Sequence, residues 1–103
     1  IVRLYVFLTE EKHEYVIAKQ IYRSGTSIGA NIAESKFAQS HNDYINKLSI
    51  ALKEASETQY WLDLLNDVQL ITSEQYESLI NDSKTITGTL VNIIKKLRQQ
   101  SNS

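Results

Sequence analysis

The segment Ile21–Ser35, IYRSGTSIGANIAES, constrains this chain most, because it sets two of the three glycines inside a helical pattern. Ile21, Gly25, Ile28 and Ile32 recur at spacings of four, three and four, which marks one face of a helix rather than a loop. A helical glycine costs about 1 kcal/mol relative to alanine, so Gly25 and Gly29 must return something. The expected return is close approach of a second backbone. On the other side of the same helix run Arg23, Ser27, Asn31 and Glu34, a polar stripe that needs its own explanation.

The rest of the chain agrees with an all-helical reading. It has no proline and only three glycines in 103 residues, too few turn-formers for a β-sandwich. One domain of this length buries roughly 65% of the surface that its unfolded chain exposes. Four helices are expected, at about residues 1–8, 14–38, 41–66 and 73–98, with a polar tail QQSNS. The chain opens on Ile1 in the middle of an apolar run, which reads as a first helix truncated at its N-terminus. Ser40 with Asp43, and Thr72 with Gln75, have the spacing of capping boxes at the starts of the third and fourth helices.

Short connections between long helices predict an antiparallel up-down-up-down four-helix bundle. If the second and third helices turn near Gln39 and Ser40, positions summing to about 79 share a height. Gly25 and Gly29 then lie near Ala51 and Ala55, a close-packing seam, and Arg23 comes near Glu54 and Glu57. The inward face of the third helix reads Tyr44, Leu48, Ala51, Ala55, Leu62 and Leu65. That of the fourth includes Tyr76, Leu79, Ile80, Ser83, Ile86, Leu90, Ile93, Ile94 and Leu97. Ile50, Trp61, Leu64 and Val68 fall outside the inward face, within one arc of about 60°, and form a candidate oligomer surface.

Composition narrows the function. Eleven basic against twelve acidic residues leave a net charge of −1, without the basic surplus of a typical nucleic-acid binder. Lys95, Lys96 and Arg98 are the best candidates for a local nucleic-acid contact, and also suit the negative end of a helix dipole. No cysteine is present, which suits a cytoplasmic, reducing setting, and no apolar run approaches a membrane span. Ser24 and Ser27 have no histidine at a spacing that reaches them, since His13 and His41 lie far off along the chain. Glu10-x-x-His13 has the spacing of a di-iron bundle motif, but no second copy exists. No catalytic residue, metal, cofactor or small-molecule substrate is expected. The polar stripe has three readings: a solvated face, a structural or intersubunit hydrogen-bond network, or an RNA-contacting strip.

The run RSGTSIGANIAES, followed by SIALKEASETQYWLDLL, closely resembles the four-helix bundle proteins encoded in intervening sequences of bacterial 23S ribosomal RNA genes. Their core, R-(S/A)-x-T-S-I-x-A-N-I-x-E, is matched at Arg23, Ser24, Thr26, Ser27, Ile28, Ala30, Asn31, Ile32 and Glu34. Glu54, Ser56, Glu57, Tyr60 and Trp61 follow the downstream helix of that family. The resemblance implies a bacterial four-helix bundle that assembles as a ring-like homopentamer. The chain is also similar to accessory proteins of diversity-generating retroelements, which bind a reverse transcriptase and nucleic acid through a basic pentamer surface. Those relatives are markedly basic and this chain is not. Two functions are therefore expected: a non-enzymatic oligomeric scaffold or accessory protein acting through protein contacts, or an RNA- or ribonucleoprotein-associated protein using a basic face of the oligomer.

Overall fold

Four α-helices make up the fold in the computed structural model, which describes residues 1–101. They are α1 (Val2–Glu10), α2 (Val16–Ser35), α3 (His41–Asp67) and α4 (Ser73–Ser101). Contacts fix their directions. Tyr5 stacks on Tyr22, Arg23 meets Glu57 while Glu34 meets Lys47, and Asp63 meets Tyr76 while His41 meets Leu97. Each helix therefore runs antiparallel to the next. α1 packs on α2, α2 on α3 and α3 on α4, giving an elongated body of 51 × 22 × 15 Å.

The helix ends follow side-chain chemistry. Thr72 and Gln75 form a reciprocal box: Gln75 N donates to Thr72 Oγ1 at 3.0 Å, and Thr72 N donates to Gln75 Oε1 at 2.8 Å. Ser40 Oγ accepts from Asp43 N at 3.0 Å, but the shorter Asp43 carboxylate bonds Gln39 N rather than the Ser40 amide. α2 begins two residues later than expected, with Glu14 Oε1 accepting from Ile17 N at 2.5 Å in its first turn. It closes at Ser35 because the backbone tightens to i→i−3 bonds as far as Ala38. α1 continues to Glu10, past the expected break at Thr9, whose hydroxyl bonds back to the Tyr5 carbonyl. α4 takes in Gln99 to Ser101 of the tail, and Asn102 and Ser103 lie outside the described residues.

The core divides into two clusters along the long axis. One gathers Leu4, Leu8, Ala18, Ile21, Leu62, Leu65, Ile71 and Ile80, with all four helices contributing. The other gathers Ile28, Leu48, Ala51, Ala55, Leu90 and Ile94 from α2, α3 and α4 alone. α1 contributes no residue to the second cluster. Between them lie three buried hydroxyl residues, Ser24, Thr58 and Ser83, one from each long helix.

The expected glycine seam is corrected here. Ala51 and Ala55 are fully buried, but their cluster includes neither glycine. A Cβ on Gly25 would meet the Ile1 side chain at 2.7 Å, and one on Gly29 would meet nothing within 4 Å. The cause is a rotation of about 100°, one residue on the helical wheel. Ile21–Ser24–Ile28 satisfies the same three-or-four spacing as Ile21–Gly25–Ile28, and Ser24 is the residue that turns fully inward.

Candidate functional site

The polar stripe of α2 lies along its border with α3. Arg23 Nη1 donates to Glu54 Oε2 at 3.2 Å, and its Nη2 pairs with Glu57 Oε2. Three turns further on, Glu34 Oε2 lies 3.0 Å from Lys47 Nζ. Charges at 23 and 34 of one helix meet opposite charges at 54, 57 and 47 of the other only in one antiparallel register. Such half-exposed pairs contribute about 0–1 kcal/mol each, so their main effect is to select that register.

Between these ion pairs the stripe closes on its own helix. Ser27 Oγ donates to the Arg23 carbonyl at 2.7 Å, and Asn31 Nδ2 donates to the Ser27 carbonyl at 2.8 Å. Thr26 Oγ1 does the same to the Tyr22 carbonyl, also at 2.7 Å. Hydroxyls bonded back to the preceding turn satisfy themselves without a partner helix. That explains how so many short polar side chains occupy one helix without melting it.

Ser24 sits deeper. Its Oγ is 2.9 Å from Thr58 Oγ1, which also lies 2.9 Å from the Glu54 carbonyl oxygen. Ser83 Oγ is buried beside them with no hydrogen-bond partner. This hydroxyl layer was missed in the sequence because Gly25 was placed on the inward face that Ser24 occupies. The alternation Ile21–Ser24–Ile28, opposite Ala55–Thr58–Leu62, is the signal that finds it.

The arc Ile50, Trp61, Leu64 and Val68 is more covered than its wheel position implies. Ile50, Trp61 and Leu64 are half-buried, Trp61 against the four-helix cluster, and only Val68 is exposed. They share a ridge with Lys47, Glu54 and Glu57, whose charges face α2, so α2 covers part of that arc. Trp61 Nε1 is buried without a partner. Apolar exposure concentrates elsewhere. Val2 and Val6 stand one turn apart on α1, and Tyr15, just before α2, stands two turns from Tyr22. The two ridges meet where the Tyr5 and Tyr22 rings lie 4.9 Å apart. Val16, 74% exposed, lies on a different side of α2, in line with Arg23.

The remaining candidates are dispersed. Lys95, Lys96 and Arg98 are exposed near the end of α4, and none is in an ion pair among the described residues. His13 lies in the α1–α2 turn with Nδ1 3.4 Å from the Tyr15 hydroxyl, and His41 Nε2 is 3.0 Å from the Leu97 carbonyl. Among the described residues no three histidine or acidic side chains gather as a metal site would require. No described helix is long and apolar enough to cross a membrane. At the α3–α4 end the Tyr76 hydroxyl donates to Asp63 Oδ1 at 2.5 Å. That bond, helped by desolvation and the negative charges of Asp63, Glu77 and Asp67, pushes the Tyr76 pKa up to about 12.

The motif stripe thus joins α2 to α3 at its two ends, through Arg23 and Glu34. A family model described as 23S rRNA-intervening sequence protein matches residues 1–92. The chain belongs to that family. A crystal structure of a protein of unknown function from the S23 ribosomal protein family of Bacteroides thetaiotaomicron is similar to it, with 62% sequence identity and a TM-score of 0.90. The match covers 91% of this chain and 84% of that one. No curated protein matches the chain. The 23S rRNA-intervening sequence family carries no catalytic assignment, and the charged residues of its motif, Arg23 and Glu34, lie here on a helix–helix border.

Proposed function

We propose that this 23S rRNA-intervening sequence family member is a non-enzymatic, homo-oligomeric helical scaffold or accessory protein that works through protein contacts. One observation carries the reading. The motif side chains are engaged within the chain, while Val2, Val6, Tyr15 and Tyr22 leave an apolar face exposed where α1 meets the start of α2. Aromatic and aliphatic side chains on one face suit a protein partner, and repeated copies of the chain are the simplest source. A ring of five is what the family resemblance implies.

Sedimentation velocity across a concentration series tests this. The chain is expected to assemble, and Val6→Asp with Tyr22→Ser to dissociate it while helicity by circular dichroism is retained. Arg23→Ala is expected to leave the assembly intact, because its partners Glu54 and Glu57 belong to its own chain. A parent chain that stays monomeric at every concentration would sink the oligomer reading.

A second reading rests on Lys95, Lys96 and Arg98. Lys95 and Arg98 border a shallow surface groove with Leu52 and Val91, and oligomerisation would repeat that patch. Retention of structured RNA at low salt, lost when the three are changed to alanine, would favour it over the scaffold.

A further inference from the structure

The net charge of −1 conceals a separation along the long axis. On the four-helix side of the Ser24–Thr58–Ser83 layer, residues 1–24 and 58–83 hold eight acidic and four basic residues, a net of −4. On the other side, residues 25–57 and 84–101 hold seven basic and four acidic residues, a net of +3. Most of that basic excess is unpaired. Lys36, Lys53, Lys84, Lys95, Lys96 and Arg98 are exposed and in no ion pair among the described residues.

The acidic half also holds an open seam. α1 packs on α2, and among the described residues no Cα of α1 comes within 8 Å of one in α4. The opening between these two helices is a groove of about 1000 Å³. Leu4 and Phe7 of α1 and Leu79 of α4 give it an apolar lining, and Arg3 also borders it. Glu74 and Asp82 stand at the two ends of its α4 wall, about 12 Å apart at 1.5 Å per residue. Both are exposed, and neither is in an ion pair among the described residues. Phe7 already draws a cation, with Lys12 Nζ 5.8 Å from its ring centre.

A complementary face lies further along α4. Lys84, Gly88, Val91, Lys95 and Arg98 recur at spacings of four, three, four and three, so they share one side of the helix. Its middle is apolar and open: Val91 is 43% exposed, and a Cβ on Gly88 would meet nothing within 4 Å. Another backbone can therefore approach closely there. Cations stand at both ends of this face, as carboxylates do in the groove. At 100° per residue the face points about 150° away from the groove side of α4, and its centre lies about 20 Å further along. One chain cannot bring the two together. A two-fold contact would need both on the same side, so the fit between them is head-to-tail.

We infer that the α1–α4 groove is the docking site for the Lys84–Arg98 face of α4 in a second copy of this chain. Val91 seats on the Leu4–Phe7–Leu79 lining, while Lys84 on one side of it and Lys95 and Arg98 on the other meet Glu74 and Asp82. Such a contact uses one groove and one basic face per copy, and closes into a ring or runs on as a chain. Val2 belongs both to the groove and to the exposed apolar face of α1, so the two surfaces are continuous. The inference rests on the homo-oligomer proposed above and names the surfaces that meet.

Sedimentation velocity on protein freed of nucleic acid tests it through charge reversals at exposed sites. Lys95→Glu with Arg98→Glu, and separately Glu74→Lys with Asp82→Lys, are each expected to weaken self-association by at least about tenfold with helicity retained. An equimolar mixture of the two variants is expected to restore it, because alternating copies then pair opposite charges at every junction. Lys36→Glu with Lys96→Glu makes the same change in net charge away from the face and is expected to leave assembly intact. Assembly of the parent that neither reversal moves would overturn the inference and leave the oligomer reading standing. A parent that is monomeric at every concentration would overturn both. Dissociation without rescue on mixing would also count against the inference, since the two sets of charges would not be meeting each other. Assembly that appears only when RNA is added would overturn it too, by giving the cations to nucleic acid.

Discussion

The two halves of this molecule use the same three long helices and differ in how many walls surround the core. Around Leu8, Ile21, Leu62 and Leu65 four helices close the interior, and these are the largest side chains removed fully from water. Around Ile28, Leu48, Leu90 and Ile94 there are three, and only the small Ala51 and Ala55 are sealed completely. Ile86 and Ile93 of α4, expected to face inward, are left 39% and 37% exposed there. A bundle side chain is buried by the helix across from it as much as by its own periodicity. The Ser24–Thr58–Ser83 layer marks the boundary between the two regimes.

The sharpest way to break this comparison is to cut a matched side chain in each half. Leu62→Ala removes a side chain that four helices enclose and is expected to cost about 3–5 kcal/mol by urea denaturation. Leu90→Ala, beside an open groove between α2 and α4, leaves a site that can relax and is expected to cost about 2–3 kcal/mol. Equal losses would mean that the number of surrounding helices has no energetic consequence.

A smaller effect comes from the glycines at the border. Gly29→Ala adds a methyl group to open space and is expected to stabilise by about 1 kcal/mol through helix propensity. Gly25→Ala gains the same propensity but meets Ile1, so it should fall short of Gly29→Ala by a measurable margin. If Gly29→Ala destabilised instead, a close-packed seam at Gly29 would have to be restored.

The smallest effect lies at the closed end and appears only in alkali. The Tyr76 hydroxyl keeps its proton in the folded state up to about 12, against an ordinary value of 10.0. The folded chain then holds more protons than the unfolded one between those values. The Tyr76–Asp63 bond therefore contributes fully below pH 10, and its contribution falls away as the pH rises toward 12. Tyr76→Phe should flatten the decline of stability with pH in that window, as followed by denaturation at stepped pH.

Much of the fold was legible in the chain because helix periodicity and caps are local. The Thr72–Gln75 box and the starts of α3 and α4 came from spacing alone. The Arg23 pairing with Glu54 and Glu57 was also legible, since a short turn fixes which residues of neighbouring antiparallel helices share a height. The glycine seam was not. Periodicity locates a face to within one residue, and one residue decides whether Ser24 or Gly25 points at the core. The exposure of the arc at Ile50 and Trp61 is not legible for a related reason: it depends on where α2 lies, and a wheel of α3 does not contain α2.

The sequence by itself determined that this is an all-helical chain of the 23S rRNA-intervening sequence family, where α3 and α4 begin and that Arg23 meets Glu54 and Glu57 across α2 and α3. Those properties depend on neighbours along the chain or on one short turn. Only the tertiary structure decided how exposed Gly29, Ile86 and Ser83 are, because that depends on the placement of helices distant in sequence. It turned the glycines of Ile21–Ser35 from a seam between α2 and α3 into the floor of an open groove.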